Sequence, residues 1–250
     1  MQWNSRCDRP LMYSSMVIDS MQSMHGFPGG VNAENEHGHT ALFVAAACGQ
    51  IHTVRQLLRI DNIDVNHAST YRRTPLFAAA YRCHHAVVAA LLKHPSIEVN
   101  RPDMYGRTPL HATAVNGWVD GAKRTTQLLL GHPDTNVNAK DIRGHTPLHL
   151  TIRHLGFASM QVLLQAPKID FTATNKQGFT ALQIAEIFGH NSLVESINRS
   201  KRSQQARKSL GLFRCATKMV ILSRRLKEKM YAPGGSGARA AIERLQRNNI

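Results

Sequence analysis

Along residues 146–167 apolar side chains return every three or four positions, first in TPLHLTIRHLG and again in FASMQVLLQAP. A stripe at that spacing lies on one face of a helix, so the stretch predicts two short amphipathic helices, each with one face to bury. The start of the first is marked locally. Thr146 suits a helix N-cap, and Pro147 suits the first helical position, where a missing N–H costs nothing. Proline also pushes the residue before it out of the α region, which is where an N-cap belongs. A tight turn separates the helices, and the polar KIDFTATNKQG that follows reads as an extended finger.

The pattern is written five times. Aligned on Thr-(Pro/Ala)-Leu, the units stand at Thr40, Thr74, Thr108, Thr146 and Thr180, with spacings of 34, 34, 38 and 34 residues. The pair Val-Asn, at Val31, Val65, Val99 and Val137, keeps the same intervals, with Phe171-Thr172 in the slot last. Gly49, Gly117 and Gly189 each fall nine residues after the Thr, and Leu57-Leu58, Leu91-Leu92 and Leu163-Leu164 fall 17 and 18 after it. Independent anchors moving together make a true period, and a period of this length signals a solenoid. One helix pair has nothing to bury its face against, whereas a stack of pairs buries a continuous core between neighbours. The units read as 31–64, 65–98, 99–136, 137–170 and 171–202, within one domain of residues 31–202.

GRTPLHATAVNG, GHTPLHLTIRHLG and GFTALQIAEIFGH resemble ankyrin repeats, whose family pattern is Thr-Pro-Leu-His-x-Ala followed by Gly at the helix–helix turn. The resemblance covers about residues 31–198 and implies an all-α solenoid of helix-turn-helix pairs with β-turn fingers and a concave protein-binding face. In such stacks His111 and His149 are structural, bridging backbone groups between repeats. Some positions depart from the pattern. Cys83 takes the turn-Gly slot in the second repeat, and Leu155 takes it in the fourth with Gly156 one place late. Arg72 replaces the finger glycine seen as Gly38, Gly106, Gly144 and Gly178. The third repeat carries four extra residues before its Leu pair, read as a longer inter-helix loop around Asp120–Arg124.

Charge changes the picture at the C-terminus. The whole chain of 250 residues is at +15, but fourteen Lys and Arg against Glu228 and Glu243 leave residues 199–250 at +12, residues 1–30 at zero and the repeats at only +3. Leu212, Cys215, Met219, Leu222, Leu226 and Met230 form an apolar stripe among these cations, so 203–231 reads as a basic amphipathic helix. Residues 232–250, with APGGSG, read as a Gly-rich linker and a short helix, and 1–30 as an unstructured tail. The C-terminal helix either caps the last repeat or targets the chain, through nucleic acid or an anionic membrane surface. No run of about 18 apolar residues or secretory h-region is visible. Four scattered cysteines fit reduced thiols, and together these features place the protein inside the cell, in cytoplasm or nucleus.

Candidate chemistry is sparse. Cys83, His84 and His85 are adjacent, but neighbours on a helix point about 100° apart and do not converge on one ion. No phosphate loop, His-Glu-x-x-His or Gly-x-Ser-x-Gly occurs. The chain is expected to be no enzyme and to need neither cofactor nor metal. Mapped through the resemblance, the finger tips and inner sides of the first helices give the candidate contact residues. These are Tyr71, Arg73, Tyr81 and Arg82, then Met104, Tyr105 and Arg107, then Arg143, His145, Arg153 and Phe179. Tyr and Arg dominate binding hot spots, so this set implies a protein partner with acidic and apolar features. Two other readings are a binder driven by the basic tail, and an adaptor acting in a host cell or recruited to a ubiquitin ligase.

The stacking reading makes its own prediction. Leu110→Ala or Leu148→Ala is expected to cost about 2–5 kcal/mol, as large-to-small core substitutions do. Urea midpoints unchanged in both variants would refute it.

Overall fold

A computed structural model describes residues 30–117, 119–207 and 209. The readings made for residues 1–29, for most of 203–231 and for 232–250 lie outside the described residues. Two compact units divide the chain, Met1–Ile197 and Asn198–Ile250, and the first holds the helix pairs as far as residue 197. The pairs are α1 (Ala41–Ala47) with α2 (Ile51–Leu57), α3 (Pro75–Tyr81) with α4 (His85–Leu91), α5 (Pro109–Val115) with α6 (Ala122–Gly131), and α7 (Pro147–Arg153) with α8 (Phe157–Leu163). α9 (Ala181–Ile187) pairs with α10, which is helical over 191–207. Among the described residues there is no strand and no helix long and apolar enough to cross a membrane.

The caps form where the pattern puts them. Thr40, Thr74, Thr108, Thr146 and Thr180 all hold extended backbone before a helix. Each first helix packs on the next, α1 on α3 and onward to α9, and each second helix does the same from α2 to α8. The period leucines are the core: Leu42, Leu76, Leu110 and Leu148 from the first helices, Leu57, Leu91, Leu129 and Leu163 from the second, all buried. Leu182 holds the same place in α9 but is only partly buried.

Each of the first four repeats is also closed, start to end, by a recurrent polar staple. The Asn of Val-Asn reaches the linker before the next repeat with both ends of its amide. Asn66 Nδ2 donates to the Ser96 carbonyl (2.6 Å) and its Oδ1 accepts from Glu98 N–H (2.9 Å). Asn32, Asn100 and Asn138 make the same two bonds to their own linkers. In the fifth repeat Thr172 stands in that slot, and its hydroxyl turns back to Asp170 (2.7 Å).

The insertion in repeat three differs from expectation. The loop is 116–121, and Lys123 and Arg124 are already helical in α6, which runs to ten residues where α2, α4 and α8 have seven. Gly121, at φ +87°, takes the left-handed turn, whereas Gly117 serves a close approach: a Cβ there would lie 2.6 Å from Gly156 Cα. In the other departures the backbone keeps the glycine conformation without the glycine. Arg72, Cys83 and Leu155 sit at φ 57°, 57° and 54°.

That conformation costs a non-glycine residue roughly 1–2 kcal/mol. Arg72 is exposed and has little packing to lose. Arg72→Gly should therefore raise stability by about 0.5–1 kcal/mol after the extra chain entropy of glycine. Chemical denaturation checks this, and a lowered midpoint would mean the Arg72 side chain supports the fold.

Candidate partner-binding face

Each finger is a tight hairpin closed by its first polar side chain. Asp103 Oδ1 accepts from Tyr105 N–H and Arg107 N–H (both 2.9 Å), and Asp141 Oδ1 from Arg143 N–H (2.9 Å) and His145 N–H (2.8 Å). Asn35 and Asn175 do the same, and Ser69 makes the one bond its shorter side chain reaches, to Arg73 N–H. The fingers then join edge to edge. The N–H groups of Thr70, Met104, Ile142 and Lys176 donate to the carbonyls of His37, Tyr71, Tyr105 and Arg143 in the preceding fingers, at 3.0–3.3 Å. The tips thus form one continuous row on a shared backbone ladder.

Behind the row, the histidines tie cap to finger. His111 Nδ1 accepts from Thr108 N–H (3.1 Å), which leaves the proton on Nε2 to be donated to the His145 carbonyl in the next finger (3.0 Å). His149 repeats this with Thr146 N–H and the Phe179 carbonyl. Burial holds the His111 pKa down to about 4, because a charged ring there would have no water around it. In the fifth repeat Gln183 takes this place and accepts from Thr180 N–H (2.9 Å).

The face is aromatic and basic at its centre. The Arg73 guanidinium lies 5.4 Å from the Phe77 ring, 5.7 Å from Tyr71 and 5.9 Å from Tyr81, with Nε 3.8 Å from the buried Asp103 carboxylate. Arg107 lies over the Tyr105 ring at 5.5 Å. Such cation–π contacts fix both the ring and the cation.

A family model described as ankyrin repeats (3 copies) matches twice, over residues 11–103 and 61–141, together more than half of the chain. The chain is an ankyrin repeat protein. A comparison with curated proteins gave no match. Ankyrin repeats are generally protein–protein interaction modules, and the family is typically non-enzymatic. The two-helix register continues past residue 141 through α7–α10.

The ankyrin fold distributes the candidate residues unevenly. Tyr71 (48% exposed), Met104, Tyr105, Arg143, Arg153 and Phe179 are on the surface. Arg73, Tyr81 and Arg82 are half-buried and line a small hollow of about 30 Å3 with Phe43 and Phe77. Arg107 is half-buried, its Nε enclosed and without a hydrogen-bond partner among the described residues. His145 corrects the expectation. It is 7% exposed, with its ring 3.4 Å from the buried Asp141 carboxylate, so it braces the finger from inside. His84, next to Cys83, gives its Nε2 to the Ala47 carbonyl (3.2 Å), and burial pushes the Cys83 thiol up to about 11. The residues that sequence reasoning missed are Arg72, exposed between Tyr71 and Arg73, and the finger-closing set at 35, 69, 103, 141 and 175. The signal for that set was a polar residue five places before every capping Thr.

The depressed histidines set a pH dependence. An unfolded His111 binds a proton near pH 6.5 and the folded one near 4. Its contribution to stability is full above about 6.5 and falls as pH drops toward 4. At pH 5 the loss should be about 2 kcal/mol relative to pH 7.5. Burial lowers His39, His84, His149 and His154 too, which adds in the same direction. In His111→Gln, which copies the arrangement at Gln183, the drop in urea midpoint between pH 7.5 and 5 should be visibly smaller. An equal drop would place the acid sensitivity elsewhere.

Proposed function

We propose that this protein is a non-enzymatic scaffold or adaptor that recognises an acidic, partly apolar segment of another protein. The contact surface is the finger tips and first helices, centred on repeats two to four. The observation that supports this most is the way the fingers sort charge. The closed hairpins 69–73, 103–107, 141–145 and 175–179 contain two acids, Asp103 and Asp141, and both are buried and accept backbone N–H bonds. The tips expose Arg72, Arg143 and Lys176 beside Tyr71 and Tyr105, with no carboxylate among them. A row of one sign attracts the opposite sign over distance and orients it on arrival, while exposed tyrosines supply rigid contact area.

The basic segment 199–250 is a separate device in this reading. Its +12 charge suits capping the stack or targeting the chain to nucleic acid or an anionic surface. The free thiol of Cys83 fits a reducing interior, cytoplasm or nucleus.

The test is affinity capture with the full chain, identification of the captured protein by mass spectrometry, and titration with that protein. Tyr71→Ala combined with Arg143→Ala should weaken binding about tenfold or more, with an unchanged circular-dichroism melt because both side chains are exposed. Removing residues 203–250 should change affinity less. Normal binding by the double variant together with loss in the truncated chain would transfer recognition to the basic tail.

A further inference from the structure

Where the fourth repeat meets the fifth, a hollow of about 180 Å3 opens between α7 and α9. Its wall is mostly apolar. Phe179, Ile184, Ile187 and Phe188 are its apolar residues, and five polar ones complete the lining, among them His149 and Arg153 of α7. Ile187 and Phe188 are 64% and 58% exposed, the two most exposed large apolar residues among those described. The same two positions in the other repeats hold Ala47-Cys48, Tyr81-Arg82, Val115-Asn116 and Arg153-His154. The fifth repeat alone places two large apolar side chains there.

Size and charge define the occupant. An apolar cavity of about 150 Å3 holds benzene, so this hollow suits one phenylalanine- or leucine-sized side chain. Arg153 at its rim is exposed and has no ion-pair partner among the described residues. The one acid of α9, Glu186, is outside the lining, and the Asp141 carboxylate nearby is buried against His145. We infer that the hollow seats one large apolar side chain of the partner's acidic segment, and that Arg153 receives a carboxylate adjacent to it. This rests on the reading that the finger and first-helix face recognises such a segment, and it makes Ile187, Phe188 and Arg153 the anchor site at the end of that face.

The probe is a phage library of random twelve-residue peptides, selected on the full chain. Enriched peptides are then labelled with fluorescein and titrated by polarisation. Selected sequences should pair Phe, Leu, Met or Trp with a neighbouring Asp or Glu. Ile187→Ala with Phe188→Ala should raise Kd about tenfold, as should Arg153→Gln alone, with the thermal melt retained. Replacing the peptide's apolar residue by Ala should cost the same and add nothing further in the Ile187/Phe188 variant, since both remove one contact.

Tyr71→Ala with Arg143→Ala is titrated in parallel. Peptides weakened by that pair but not by Ile187/Phe188 would overturn the hollow and keep the face. The reverse would keep the hollow and overturn the face centred on repeats two to four. A selection without apolar–acidic pairs would overturn the anchor outright, and so would peptides that bind only after residues 210–250 are removed.

Discussion

Nine of the helices are seven to ten residues long, and none is long enough to persist alone in water, where about 12–15 residues are already marginal. Every pair therefore exists because another pair lies against it. That dependence explains why the core leucines fall in register, why the linkers keep their length, and why the only expanded unit takes its extra residues in a surface loop and one turn of helix. It also explains Leu182, which has the sequence of a core leucine and less cover than its sisters.

Much of this was legible in the chain. Caps, leucine pairs and period are local chemistry repeated at a constant offset, so each copy corroborates the others. What remained hidden depends on contacts between repeats. Gly117 resembled the other turn glycines, yet it is required by the backbone of Gly156 rather than by its own φ. The finger-closing residue does not stand out because Asn35, Ser69, Asp103, Asp141 and Asn175 are three residue types doing one job. His145 misleads for a related reason: adjacent to a glycine and an exposed arginine in sequence, it turns inward to an acid four residues back. Ile187 carries the apolar spacing of a buried helix face, and only the fold reveals that it is left 64% exposed.

The binding face is built from the same parts that hold the stack. Arg73 packs against three rings and Asp103, so removing it would disturb the fold as well as any contact. Tyr71, Arg72 and Arg143 stand on the ladder without supporting it. Recognition is separable from stability at those tips because the hydrogen bonds beneath them belong to the backbone and to the closing residue.

The asparagine staples carry a last implication. In all four, the side chain stands at the start of a repeat and the groups it grips are main-chain atoms of the linker that ends it, and the histidine ties likewise reach main-chain carbonyls, those of the following finger. The requirement for each of these joins is thus written on one side of it, and the receiving side is indifferent to its own side chains. A lineage of such chains is free to rewrite the tips of a finger without renegotiating its grip on the finger before.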